Sequence, residues 1–244
     1  MANYPTQPRL VLWDIDHTLI ETRGVGGELA RAALEEVTGL RIDDVAEATG
    51  KTEPVILAET LRMHGIEPTA THQRAYGRAL PQQYQRHADR LRTEGRVLPG
   101  ASQALEALAK LPGFVQTILT GNYRAVAAIK LGTFGLDKYL DFEVGAYAED
   151  HTDRAALVAV AQQRASKKYG HQFARNNTVI IGDTTHDVSA ARTGGAAVIA
   201  VATGRDSANE LRNAAADVVL ADLTDTDRLI GVVLEATTTP LGQS

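Results

Sequence analysis

The chain has 244 residues, 44% of them hydrophobic and 23% charged, with a formal net charge of −5. That balance suits a protein with a sizeable buried core and gives no electrostatic footprint for nucleic acid. It contains no cysteine, which excludes a disulfide framework, a thiolate nucleophile and cysteine-ligated zinc or iron–sulfur.

Taken in chain order, the opening MANYPTQPRL has neither a basic segment nor an apolar one after it, so a cytoplasmic protein is expected. No stretch approaches the roughly 18 uninterrupted apolar residues of a membrane span. Residues 9–14 are a continuous apolar run of strand length, followed by the glycine-rich TRGVGGE at 22–28. From residue 28 to 92 the signals are helical. ELARAALEEVTG and EPVILAETLRMHG carry apolar residues at helical spacing and stop at glycines, and THQRAYGRALPQQYQRHADRLR is expected to break or kink near Pro81.

After RVLPG at 96–100 the pattern alternates. Strands are predicted at 114–120, 141–146, 178–183, 196–203 and 217–221, and helices near 101–110, 122–132, 153–168, 186–193, 206–215 and 226–236. The tail TTTPLGQS is expected to fray, and Asn176-Asn177-Thr178 is expected to be a chance match to a glycosylation acceptor, since the opening does not read as a secretory signal. Apolar strands alternating with helices predict an α/β fold, a Rossmann-like parallel sheet covered on both faces, with an all-helical cap inserted after strand one. The expected division is a core of residues 1–21 and 96–244 and a cap of 22–95, which glycines at both junctions would let move as a lid.

Ligands bind beyond the carboxyl ends of the strands in such a sheet. Strand one delivers Asp14, Asp16 and Thr18 there; LTGN delivers Thr120, Gly121 and Asn122; GDTTHD delivers Asp183 and Asp187. Each ending alone is ordinary turn chemistry, but three together point to a site. Asp14, Asp16 and Asp183 supply hard oxygen ligands suited to Mg²⁺, and a bound dication removes the repulsion between Asp14 and Asp16. Asp187, four residues after Asp183, either favours the helix N-terminus or holds the metal's waters and ligands from outside.

DIDHT at 14–18, LTGN at 119–122 and IIGDTTHD at 180–187 resemble, in order and placement, the signature motifs of the haloacid dehalogenase superfamily. The helical insertion resembles that superfamily's cap, and its arrangement looks most like phosphoglycolate-phosphatase-type enzymes. The resemblance implies a phosphatase acting on a small phosphorylated metabolite through an aspartyl-phosphate. Asp14 would be the nucleophile, and Asp16 the general acid and then base, also ligating metal through its carbonyl. Thr120, with N–H groups near Gly121 and Asn122, would hold the phosphoryl oxygens. The superfamily's usual Lys-Pro before the last motif is missing. The resemblance gives its cationic role to Arg154, with Lys130 as the alternative. His17 departs from the glycine often found there and reads as a packing or hydrogen-bonding variant; Trp13 reads as a buried strand residue.

TGKT at 49–52 is not a Walker A, because Val45 stands where the earlier glycine is required. Related phosphatases often carry a glycine-basic-threonine turn in the cap, so Lys51 is a candidate contact for a substrate carboxylate or phosphate, and Arg23 at the cap entry is another. GVGGEL lacks the last glycine of a dinucleotide fingerprint. A phosphomutase, a phosphonate-cleaving enzyme using Lys51, and a phospho-aspartate signalling or binding module are the competing readings.

Overall fold

A computed structural model describes residues 8–237, so residues 238–244 of the expected fraying tail lie outside the described residues. In chain order the core elements are β1 (Arg9–Trp13), α5 (Ala101–Ala109), β4 (Phe114–Ile118), α6 (Arg124–Thr133), α7 (Arg154–Tyr169), β5 (Thr178–Gly182), α8 (Thr185–Gly194), β6 (Ala197–Val201), α9 (Ala208–Asn213), β7 (Val218–Leu220) and α10 (Thr226–Ala236). Between β1 and α5 lie β2 (Ile20–Glu21), α1 (Val25–Thr38), α2 (Glu53–Met63), α3 (Ala70–Arg86), α4 (Ala88–Glu94) and β3 (Arg96–Val97).

The five core strands pair in parallel in the order β4-β1-β5-β6-β7. All five residues of β1 are buried, and its alternating side chains feed two separate cores. Val11 and Trp13 pack with α5, α6 and α10 on one face, Leu10 and Leu12 with α7, α8 and α9 on the other. A strand covered on both faces has no polar side, which is why its sequence reads as an unbroken apolar run. The Trp13 indole sits fully inside, its Nε1 donating to Gln116 Oε1 at 3.0 Å. From β1 the chain enters β4 on one side and later β5 on the other, so the crevice of the sheet opens at the carboxyl end of β1.

The insert leaves and rejoins the core through the antiparallel pair β2–β3, with Ile20 opposite Val97 and Glu21 opposite Arg96. Its helices bury their own cluster around Leu34, Leu57, Tyr76 and Leu80. That cluster also takes in Tyr123 and Val126 from the start of α6, and the rings of Tyr76 and Tyr123 meet edge to face at 6.4 Å. Among the described residues no helix is long and apolar enough to cross a membrane.

Two sequence expectations are corrected. Residues 141–146 do not form a strand. They follow β4 through single bonds, Asp141 N to Gln116 O and Ala146 N to Ile118 O, but a turn closed by Val144 N to Asp141 O leaves only a bridge between Leu119 and Ala146. Pro81 does not break α3, which runs on to Arg86; the break comes at His87. The carbonyl deprived of its partner by Pro81 belongs to Gly77, four residues back, and the helix continues at the cost of that one bond.

Candidate active site

The ladder between β1 and β5 continues one residue past β1, with Asp14 N donating to Ile181 O at 2.9 Å. This fixes Asp14 beside Asp183, the residue that follows β5. Thr18 reaches across from the first loop and donates its hydroxyl to Asp183 Oδ1 at 3.0 Å. Asp187 sits in the first turn of α8 in a reciprocal cap: its N–H donates to Thr184 Oγ1, while its Oδ2 accepts from Thr184 N and Oγ1 at 3.1 and 2.6 Å. One oxygen from each of Asp14, Asp183 and Asp187 lies within 4.8 Å of the other two, and all three side chains are buried.

Burial, and then the repulsion among the three, pushes the Asp14 and Asp183 carboxyls well above the usual carboxylate range. Arg154 is the one cation in contact with the trio among the described residues. It stands at the first position of α7, whose N-cap is Asp153, and its Nη2 donates to Asp14 Oδ1 at 3.2 Å and to Asp187 Oδ1. Its buried Nε has no hydrogen-bond partner. Three carboxylates against one guanidinium, offering only oxygen donors, fit a hard divalent cation. Both Asp187 oxygens are occupied by Thr184 and Arg154, which suits a bracing role better than direct ligation.

Lys130 serves the other aspartate. From α6, with its side chain only 5% exposed, its ammonium donates to both Asp16 oxygens at 2.8 and 2.7 Å and to Asn122 Oδ1 at 2.8 Å. Asn122 Nδ2 in turn donates to Asp16 Oδ2 at 2.9 Å and Thr120 Oγ1 at 2.8 Å. Burial alone would raise the Asp16 carboxyl, but Lys130 and Asn122 together hold it below the usual range. Asn122 N–H is spent on Thr120 Oγ1 at 3.2 Å, so neither its side chain nor its backbone N–H is free for a ligand. The Thr120 hydroxyl accepts twice and keeps its own hydrogen to donate. Gly121 N–H has no partner among the described residues, while Gly121 O receives Glu53 N at 2.8 Å.

These groups line a cavity of about 500 Å³ between the strand ends and the insert, a volume in the range of small-molecule sites. Lys51 lines it too, but its Nζ is held by Glu59 at 2.6 Å. The Arg23 guanidinium lies 3.8 Å from Glu21 instead and is not among the lining residues. His17 is exposed at the rim with φ of +61°, a left-handed conformation that glycine adopts without cost; its carbonyl accepts from Thr203 Oγ1 at 2.6 Å. Glu53, at the start of α2, also faces the cavity and was not picked out from the sequence. An acidic residue in the first turn of a helix is ordinary there, and only the bond to Gly121 brings it to the site.

The model of the family described as haloacid dehalogenase-like hydrolase matches residues 11–192. A protein of Dickeya dadantii (strain 3937) named "Probable phosphatase IndB" is 28% identical over 151 residues, 60% of this chain and 61% of that protein. Among solved structures, "a hydrolase from Pseudomonas syringae" is 24% identical with a TM-score of 0.65, covering 93% of this chain and 99% of that one. A "predicted phosphoglycolate phosphatase" from Haemophilus somnus 129PT is 18% identical with a TM-score of 0.60, covering 92% and 99%. At these identities the two structures establish the shared fold.

Proposed function

Since the chain belongs to the haloacid dehalogenase-like hydrolase family, we propose that it is a Mg²⁺-dependent phosphatase which hydrolyses a small phosphorylated metabolite through a phosphorylated Asp14. The observation that carries this reading is the buried trio of Asp14, Asp183 and Asp187 beside Arg154, opening on a cavity where the Thr120 hydroxyl and Gly121 N–H have hydrogens to give. Asp14, Asp183 and the Asp16 carbonyl would hold the metal, with Asp187 bracing from outside. When bound, the dication offsets the charge of the aspartates and of the phosphoryl oxygens.

In this reading the core of residues 1–21 and 96–244 carries the chemistry, and the cap of 22–95 covers it. The Asp14 carboxylate attacks phosphorus while the bond to the leaving oxygen breaks, and Asp16, which takes up a proton from solvent against the hold of Lys130 and Asn122 as the substrate binds, passes it to that oxygen. Asp16 then takes a proton from water as it attacks the aspartyl-phosphate, which returns Asp14 and releases phosphate. Thr120, Gly121 N–H and the spare Nε of Arg154 supply donors for the phosphoryl oxygens; such fixed donors do most of the work in phosphoryl transfer. Lys130 and Asn122 are positioning residues, holding the half-exposed Asp16 carboxyl at the cavity wall.

The test is phosphate release from 4-nitrophenyl phosphate with and without Mg²⁺. Wild-type turnover is expected only with the metal, and Asp14→Asn is expected to lose at least ~10³-fold in kcat while keeping the wild-type circular dichroism spectrum. Undiminished turnover in that variant overturns the mechanism.

A further inference from the structure

The polar lining of the cavity is unevenly matched. Six carboxylates, four lysine or arginine side chains and His17 at the rim line it, and each of the four lysine and arginine cations already has an acid. Lys51 holds Glu59 at 2.6 Å, Lys130 holds Asp16 at 2.7 Å, Arg154 holds Asp14 and Asp187, and Arg205 holds Glu47 at 2.8 Å. Among the described residues no cation lies within salt-bridge distance of the Glu53 carboxylate. Its single hydrogen bond comes from Tyr76 Oη at 3.1 Å, which leaves most of its acceptor capacity unused.

Glu53 is also fixed in place. Its N–H is bonded to Gly121 O, and the close approach of the two loops is built in, since a Cβ on Gly121 would stand 2.3 Å from Lys51 O. An unsatisfied acceptor is therefore held next to the loop that carries Thr120, on the cap side of the cavity, where a leaving group would lie.

We propose that the group esterified to the phosphate carries hydrogen-bond donors, hydroxyl or ammonium, which Glu53 receives, and that monoesters carrying a second anion are rejected. The inference rests on the phosphatase reading and narrows it. A second anion would find every lysine and arginine of the lining already paired and would meet Glu53 itself. A donor completes the acceptor left open on the cap side of the cavity, Asp183 at the strand end being the one the metal would take, and leaving such a group unpaired in a closed site is costly. Burial pushes the Glu53 carboxyl up to about 7, against the pull of the Lys130 charge and of the Tyr76 hydrogen bond.

The experiment compares kcat/KM for glycerol 1-phosphate, phosphoethanolamine, 2-phosphoglycolate and 4-nitrophenyl phosphate, all with Mg²⁺, in wild type and Glu53→Gln. At least one of the first two is expected to exceed 2-phosphoglycolate by about tenfold or more, and Glu53→Gln to erase most of that ratio through KM. A loss confined to phosphoethanolamine identifies an ammonium donor, because glutamine keeps an acceptor oxygen for hydroxyls but no charge. Preference for 2-phosphoglycolate, or a ratio unmoved by Glu53→Gln, overturns the inference while hydrolysis of 4-nitrophenyl phosphate by the wild type upholds the phosphatase reading. Failure to hydrolyse 4-nitrophenyl phosphate overturns both.

Discussion

Two buried cations divide the aspartates of the first loop between them, Arg154 on Asp14 and Lys130 on Asp16. Glu53 has no cation within salt-bridge distance among the described residues, and its burial makes it a liability to folding that depends on pH. Its folded value of about 7 lies above the roughly 4.3 of an unfolded glutamate. The folded protein keeps a proton that the unfolded chain releases, so stability is lost as the pH rises between those two values. Glu53→Gln removes the ionisation. In urea denaturation it is expected to match wild type near about pH 4 and to be more stable near about pH 8, by on the order of 1–2 kcal/mol because the carboxylate borders a cavity. Equal stability at both values would mean that water in the cavity already solvates the carboxylate. The residues legible in the sequence, Asp14, Asp16, Thr120, Asp183 and Asp187, stand at strand ends, where a parallel sheet must present them. Lys130 was legible only as an alternative for the wrong aspartate, since a lysine inside a helix does not announce which loop it reaches. Glu53 was not legible at all.

At the scale of elements, the approach of the α1–α2 loop to the core is set by Gly50. Its φ is +68°, and a Cβ there would fall 2.1 Å from the ring of His186, in the first turn of α8. Gly50→Ala is expected to cost about 2 kcal/mol or more, from the left-handed backbone and from the clash together. Adding His186→Ala is expected to recover only the part of the clash made by the ring, because the His186 Cβ would still stand 2.5 Å away, read as melting temperatures in a double-mutant cycle. A cost unchanged by His186→Ala would place the effect in the backbone and the His186 Cβ rather than in the ring. The helices were legible from their spacing, almost to their ends. The false strand at 141–146 was not, because its β-prone residues do lie beside β4 and only the turn at 141–144 stops them from joining it. Pro81 misled in the opposite direction: a rule about helix interiors gave way to the packing of α3, whose Tyr76, Ala79, Leu80 and Tyr84 are buried on both sides of the proline.

Across the whole molecule, the insert and the sheet share apolar surface at the start of α6, where Tyr123 and Val126 complete the insert's own cluster. An element that serves two cores couples them. Calorimetry is expected to give one transition whose calorimetric and van't Hoff enthalpies agree, and Tyr123→Ala to lower stability by about 3 kcal/mol. Two resolved transitions in the wild type would show that the insert holds itself together without α6. The sequence announced an insertion through its change of pattern, but this shared seam depends on a tyrosine whose partners lie far away in the chain. The position of Trp13 has a practical consequence. It is the chain's one tryptophan, held rigidly out of water one residue before Asp14, so its fluorescence is a native reporter of the charge next to it. Titration with Mg²⁺ is expected to change its emission saturably, and Asp14→Asn to flatten that response. Occupancy of the site can then be followed by light, in the unlabelled protein and before any substrate is known.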